Sequence, residues 1–228
     1  MPDRPTLVVL PGLDGSDALL PAFKVAAESD FEVRVVCYPA DRCLGYAELV
    51  GWLWPRLPTQ GPWILLGESF GGPLAVQIAA RQPPGLQALV LCASFARYPW
   101  LRLLRPLIPM IPMGRPPALA LSLLLFGAGG RHRPPVDALR RVLRETPAAV
   151  LHHRLRALLA VDVRTELAAL RLPVLILRAR HDRLVPTAAG RELQKASPTA
   201  RLLDIPSPHA MLATASAAVA GTLAGFRN

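Results

Sequence analysis

A serine set between glycines, Gly67-Glu68-Ser69-Phe70-Gly71, follows directly on the apolar run Trp63-Ile64-Leu65-Leu66. That is the make-up of a nucleophile on a sharp strand-to-helix turn. A hydroxyl attacks a carbonyl only when it stands clear of its neighbours and a base can reach its proton, so the flanks of the turn must be nearly bare of side chains. Gly67 and Gly71 meet that need. A helical pattern starts at once, with Pro73 in its first turn, where a missing N–H deprives no intrahelical acceptor. The unpaired first-turn N–H groups and positive dipole end of this helix aim at the place where an attacked oxygen would gather charge. The rival reading is a plain Gly-Ser turn, and the strand before and helix after argue against it.

A serine nucleophile needs an imidazole to take its proton and an acid to orient the imidazole. Of the five histidines, His132, His152 and His153 fall in helical or proline-rich sequence and His181 directly precedes an acid, so these four read as surface or packing residues. His209, in Ser207-Pro208-His209-Ala210-Met211, lies between the last strand and the last helix. Asp182, in Arg180-His181-Asp182-Arg183-Leu184-Val185-Pro186, follows another strand, although it could instead cap its own turn or pair with Arg183. Both lie beyond strand carboxyl ends, the edge where open α/β sheets hold ligands. Ser69, Asp182 and His209 are therefore the expected catalytic residues. Asp162, in helix-like sequence, and Asp204, inside a strand, are weaker candidates for the acid.

The oxyanion would be held by two backbone donors, the N–H of Phe70 after the nucleophile and that of Leu13 in the loop Pro11-Gly12-Leu13-Asp14-Gly15. The glycines at 12 and 15 let this loop approach a substrate. Asp14 is out of place there, because an unpaired carboxylate opposes a developing negative charge; it must point away or bond its own turn. No metal ion or organic cofactor is required by this chemistry, and Cys37, Cys43 and Cys92 form no metal-ligand spacing.

The elements that must hold these residues alternate. Strands are expected over 6–10, 31–37, 63–66, 88–92, 173–177 and 200–205, with helices over 18–27, 46–57, 71–81, 187–196 and 210–226. The strands lack in-out alternation, which predicts an α/β fold with a mostly parallel sheet of about six strands covered by helices on both faces. After Ser94 the rhythm breaks. Residues 95–160 carry nine prolines from Pro99 to Pro147 and helical patterns near 117–126, 135–145 and 147–160. We read 95–160 as a helical lid insert over the ligand edge and 1–94 with 161–228 as the core of one domain.

With 228 residues, 52% of them hydrophobic, the chain has the material for a substantial core. The most apolar tract is cut by prolines, and its clean run from Ala118 to Phe126 is too short to span a bilayer. Met1-Pro2-Asp3-Arg4-Pro5 runs into a strand without the build of a signal peptide, and the cysteines, read as buried free thiols, suit a reducing compartment, so a cytoplasmic location is expected. One disulfide plus a free thiol is the other reading of the three cysteines. The net charge of +10 is concentrated in residues 97–156, where 11 arginines face only Asp137 and Glu145. This is either a solvated basic face or a docking surface for something acidic. Nucleic acid is not the expected partner, since the basic excess has no interleaved aromatics and no recognisable motif.

Taken together, Leu10-Pro11-Gly12-Leu13-Asp14-Gly15, Gly67-Glu68-Ser69-Phe70-Gly71-Gly72, His181-Asp182-Arg183-Leu184-Val185-Pro186 and Pro208-His209 resemble the α/β-hydrolase superfamily over essentially the whole chain. Its order of Ser, then acid, then His matches Ser69, Asp182 and His209. Within it the chain looks like bacterial esterases of the type that cleaves pimeloyl-[acyl-carrier protein] methyl ester. The oxyanion loop, with Asp41-Arg42 downstream, is also similar to that of plant phytyl ester synthases and their bacterial relatives. Two departures stand out: Pro11-Gly12 replaces the His-Gly that usually opens the oxyanion loop, and the N-terminal strand pair of the full fold is missing. The resemblance implies a serine carboxylesterase acting on a small-molecule or acyl-carrier-bound ester, or thioester. Alternatives are an acyltransferase with an alcohol acceptor and a ligand-sensing hydrolase fold without turnover. Leu107, Ile111 and Leu124, among the apolar residues from Leu103 to Phe126, are candidates for an acyl slot. Arg140 and Arg144, with Arg141, Arg154 and Arg156, are candidates to face an acidic carrier or a substrate carboxylate.

Overall fold

The computed structural model describes residues 4–98, 106–108, 110, 122–127 and 133–227. Its centre is a six-stranded sheet in the order β2-β1-β3-β4-β5-β6, with every neighbouring pair parallel. The strands are β1 (Thr6–Leu10), β2 (Glu32–Val35), β3 (Trp63–Glu68), β4 (Leu86–Cys92), β5 (Val174–Ala179) and β6 (Ala200–Ile205). The helices are α1 (Pro21–Ala27), α2 (Tyr46–Leu53), α3 (Gly71–Ala80), α4 (Arg133–Glu145), α5 (Ala148–Ala160), α6 (Arg164–Ala169), α7 (Thr187–Ala196), α8 (Met211–Thr214) and α9 (Ser216–Arg227). Among the described residues this is the α/β-hydrolase fold with a sheet of six strands.

Strand side chains alternate between faces, and here both faces are buried, which is why the strand sequences are continuously apolar. Val8, Leu10, Leu65, Leu89, Leu91, Val174 and Ile176 form one core with Leu49, Leu53, Leu74, Ile78, Leu167 and Leu193. Leu7, Val9, Ile64, Leu66, Val90, Leu175 and Leu177 form the opposite core with Phe23, Val219 and Leu223. Burying one such side chain is worth roughly 1.5–3 kcal/mol, so the sheet is anchored from both sides.

Element boundaries differ from the sequence reading where local chemistry intervenes. Helix α2 stops at Leu53, and Pro55 turns the continuation into a 3₁₀ turn over Trp54–Arg56. The last helix is broken between Thr214 and Ser216, where the Thr214 and Ser216 hydroxyls donate back to the carbonyls of Ala210 and Leu212 (2.8 and 2.7 Å). Helix α6 has no counterpart in the sequence reading; Asp162 accepts the Arg164 N–H (3.3 Å) at its start. Between β4 and β5 the described residues add no strand to the sheet, only an isolated bridge of Arg97 to Asp162. Ser122–Phe126 forms one wide helical turn, while Leu103, Leu104, Ile111, His132 and the start of the helix expected at 117 lie outside the described residues. Among the described residues no helix is long and apolar enough to cross a membrane. All three cysteines are free thiols, with Cys92 buried and Cys37 and Cys43 exposed, so the alternative with a disulfide does not hold.

Candidate active site

Ser69 leaves β3 near the middle of the sheet, beside the point where connections from β1 and β3 run to opposite sides. Its backbone is left-handed, with φ of 52°, a strained conformation for a residue with a side chain. The elbow is fixed by hydrogen bonds. The Ser69 N–H donates to the Cys92 carbonyl (2.9 Å), and the Ser69 carbonyl accepts the Gly72 N–H (3.0 Å) and the Ser94 hydroxyl (2.8 Å). Helix α3 presses so closely on β1 that a Cβ on Gly71 would lie 2.5 Å from the Leu10 carbonyl oxygen. One on Gly72 would lie 1.8 Å from Ser94 Oγ.

Asp182 leaves the end of β5 and His209 the end of β6, and the three side chains singled out by sequence form one hydrogen-bonded chain. His209 Nδ1 lies 2.8 Å from Asp182 Oδ2 and Nε2 lies 2.9 Å from Ser69 Oγ. A carboxylate only accepts, so Nδ1 carries the proton and Nε2 is left to accept from the Ser69 hydroxyl. Asp182 also caps its own turn, as the alternative reading had it, but with the other oxygen: Oδ1 accepts the N–H groups of Leu184 and Val185, both at 2.8 Å. Asp162 is engaged instead with Arg164 (2.8 Å) and Asp204 with Arg178 (2.7 Å).

The two N–H groups expected to hold an oxyanion are oriented by the same device. In a trans peptide the carbonyl and the N–H point in opposite directions, so fixing one fixes the other. The Gly12 carbonyl accepts the Gly15 N–H (3.0 Å), which turns the Leu13 N–H outward. The Ser69 carbonyl, held by Gly72 and Ser94, does the same for the Phe70 N–H. Tyr46 stacks on Phe70 at 4.6 Å and donates its hydroxyl to the Phe70 carbonyl (3.2 Å); Tyr38 donates to the Pro11 carbonyl (2.7 Å). Burial pushes both phenols well above their usual range, so they remain donors. Asp14 bonds its own turn, accepting from the Ser16 N–H (3.1 Å) and hydroxyl, and burial raises its carboxyl pKa.

Two charged residues have places that the sequence reading did not give them. Glu68, one residue before Ser69, is only 8% exposed, and its Oε1 accepts the N–H of Leu212 (3.2 Å), three residues past His209. Burial is the chief cause that lifts its pKa to about 7, against the Leu212 hydrogen bond and the nearby His209 charge. The signal was present: an acid ending an otherwise apolar strand has to be either exposed or paired. Arg154, expected on a basic surface, is instead 1% exposed. Its guanidinium bonds the carbonyls of Leu13 (3.0 Å), Asp14 (2.9 Å) and Pro39 (2.9 Å).

Of the residues expected to bind substrate, Ile111 lies outside the described residues. Leu107 is 50% exposed while its neighbour Ile108 is buried with Phe95, Tyr98, Leu159 and Val185. Leu124 likewise faces out, and Leu125 and Phe126 pack inward beside Ala210; the Leu125 carbonyl accepts the Ala210 N–H (2.9 Å) next to His209. Consecutive residues on a helical turn face different directions, and runs of Leu hide which is which. Arg144 and Arg141 are exposed on α4, and Arg140 lies 3.9 Å from Asp137.

The family model described as serine aminopeptidase, S33 matches residues 47–205. The chain is 31% identical to the pimeloyl-[acyl-carrier protein] methyl ester esterase of Aeromonas hydrophila, over 86% of this chain and 85% of that protein. It is 30% identical to the putative carbamate hydrolase RutD of Stutzerimonas stutzeri, over 88% of this chain and 83% of that one. Among solved structures, the enol-lactonase from Burkholderia xenovorans LB400 superposes with a TM-score of 0.85 at 23% identity, covering 99% of this chain and 92% of the other.

Proposed function

Because this chain belongs to the hydrolase family described as serine aminopeptidase, S33, we propose that it is a serine carboxylesterase working through an acyl-serine. The observation that carries this reading is the unbroken chain from Asp182 through His209 to Ser69, at 2.8 and 2.9 Å. His209 Nε2 takes the hydroxyl proton as Ser69 Oγ bonds to the ester carbonyl carbon. The N–H groups of Leu13 and Phe70 hold the resulting oxyanion, and Asp182 keeps the imidazole in the right tautomer and balances its positive charge. His209 then returns the proton to the departing alcohol, and a water, deprotonated in the same way, releases the acid from Ser69.

The helices between β4 and β5 serve in this reading as a lid, residues 95–160, over the carboxyl edge of the sheet. The relative from Aeromonas hydrophila is named for an acyl-carrier-bound methyl ester, and the arginines exposed on α4 supply a face suited to an acidic carrier. An acyl-carrier-bound ester is therefore the proposed substrate class, and the cytoplasm, where three free thiols would persist, the proposed location. Ser69→Ala is expected to abolish turnover of short p-nitrophenyl esters while leaving the thermal unfolding curve intact. Retention of near-wild-type activity by that variant would remove the reading.

A further inference from the structure

Arg154 is a buried cation on α5 with no acid in direct hydrogen-bond contact among the described residues; Nη1 and Nη2 donate to three backbone carbonyls instead, while Nε is buried without a hydrogen-bond partner. Two of those carbonyls, of Leu13 and Asp14, belong to the loop after β1, and the third, of Pro39, belongs to the segment after β2. The same two segments are already tied by the Tyr38 N–H to the Gly15 carbonyl (2.8 Å) and by the Tyr38 hydroxyl to Pro11. The guanidinium lies 5.5 Å from the centre of the Tyr38 ring. It occupies space that only a glycine leaves open: Gly15 has φ of 73°, and a Cβ there would lie 2.7 Å from Arg154 Nη1. Burying a charge is expensive unless its donors are met, and an apolar side chain would fill this space without that expense. A planar fork with several donors at fixed angles is what three carbonyls around one point require, and lysine lacks it.

We propose that Arg154 is a positioning residue for the oxyanion loop: by gripping the Asp14 carbonyl from α5 it fixes the Gly15 N–H of the same peptide, which holds the Gly12 carbonyl and so sets the direction of the Leu13 N–H, while its bond to the Leu13 carbonyl steadies the turn between. The proposal rests on the esterase reading and adds that helix α5 controls transition-state binding as well as covering the site. It follows that Arg154 acts on the tetrahedral state and not on the docked ester.

The test compares wild type, Arg154→Gln and Arg154→Lys on a short neutral p-nitrophenyl ester, which offers no carboxylate for the arginine to meet. Deleting an oxyanion donor outright lowers kcat by roughly 10²–10³-fold, so a misdirected one is expected to lower it by about tenfold to a hundredfold with KM within about twofold. Affinity for an alkyl boronic acid, which forms a tetrahedral adduct on serine, should fall by the same factor, with Lys falling between Gln and wild type. Hydrogen exchange in peptides spanning 11–16 should quicken while that in β3 and β4 stays unchanged. If Gln proves too unstable to purify, Lys carries the same comparison. Variants whose kcat and boronate affinity stay within twofold of wild type overturn the proposal, as does a loss carried by KM alone. A wild type that neither turns over esters nor reacts with a fluorophosphonate ends the esterase reading and this one together, whereas an active wild type with unaffected variants ends this one alone.

Discussion

Replacing Glu68 with Gln should make the protein more stable and less active, and the size of the first effect follows from the site. The carboxyl is buried and faces the Leu212 N–H, His209, Asp14 and Asp182, with a pKa of about 7 against 4.5 for the ordinary group. The folded state therefore holds this proton where the unfolded chain has released it. Stability falls as pH rises between 4.5 and about 7, and the folded protein carries the full penalty above that range. Roughly 1.4 kcal/mol for each pH unit of that gap gives about 3 kcal/mol as an upper limit. Gln keeps an oxygen for Leu212 but brings a buried amide NH₂ that must find acceptors, which offsets roughly 1 kcal/mol. About 2 kcal/mol remains, or roughly 4–8 °C in Tm for a chain of this length. Thermal unfolding of both proteins at pH 5 and pH 8 provides the assay. The Gln variant should melt higher at pH 8 and no higher at pH 5, and groups common to both proteins cancel in the difference. Activity at pH 8 should drop, because the imidazolium formed during attack loses a nearby negative charge. A Tm difference that is the same at both pH values would show that Glu68 does not titrate in this range and would refute the reasoning.

Ser94→Ala removes one of two donors to the Ser69 carbonyl; a hydrogen bond worth about 1 kcal/mol implies a kcat about fivefold lower with KM unchanged, read from steady-state kinetics on a short ester. Gly72→Ala places a Cβ on Ser94 Oγ and should lose about 1–3 kcal/mol by denaturant melting; adding Ser94→Gly should recover stability but not kcat. Hydrolysis of a carrier-bound ester should weaken steeply between 50 and 300 mM salt if the exposed arginines of α4 receive the carrier, while a small neutral ester should be indifferent; equal responses would dismiss the carrier.

The strands and the three side chains of the proposed triad were readable because each leaves a periodic or punctuated mark: apolar runs of strand length, glycines flanking a serine, a His and an Asp in loops after strands. What sequence hid was direction. Nothing in Leu107-Ile108 or Leu124-Leu125-Phe126 says which residue turns inward, since helical phase in an all-apolar run has no reference. Arg154 stands in a stretch with Arg156 and two histidines, and its identity alone suits a solvated face; only the carbonyls of two distant loops make its burial sensible. Glu68 is the instructive case. It sits within the very motif that located the nucleophile, yet its partner, Leu212, lies 144 residues away, and hydrogen bonds to backbone leave no residue-type signal.

The six strands do not share their loads equally. Ser69 rides on β3, paired on both sides, whereas His209 hangs from β6, which among the described residues pairs only with β5. An edge strand has the fewest ties to lose, so the order of disassembly is set by topology. Under mild denaturant the base should peel away from its serine while the central strands persist, leaving a chain that still scatters and fluoresces as a folded body but has already fallen silent as a catalyst.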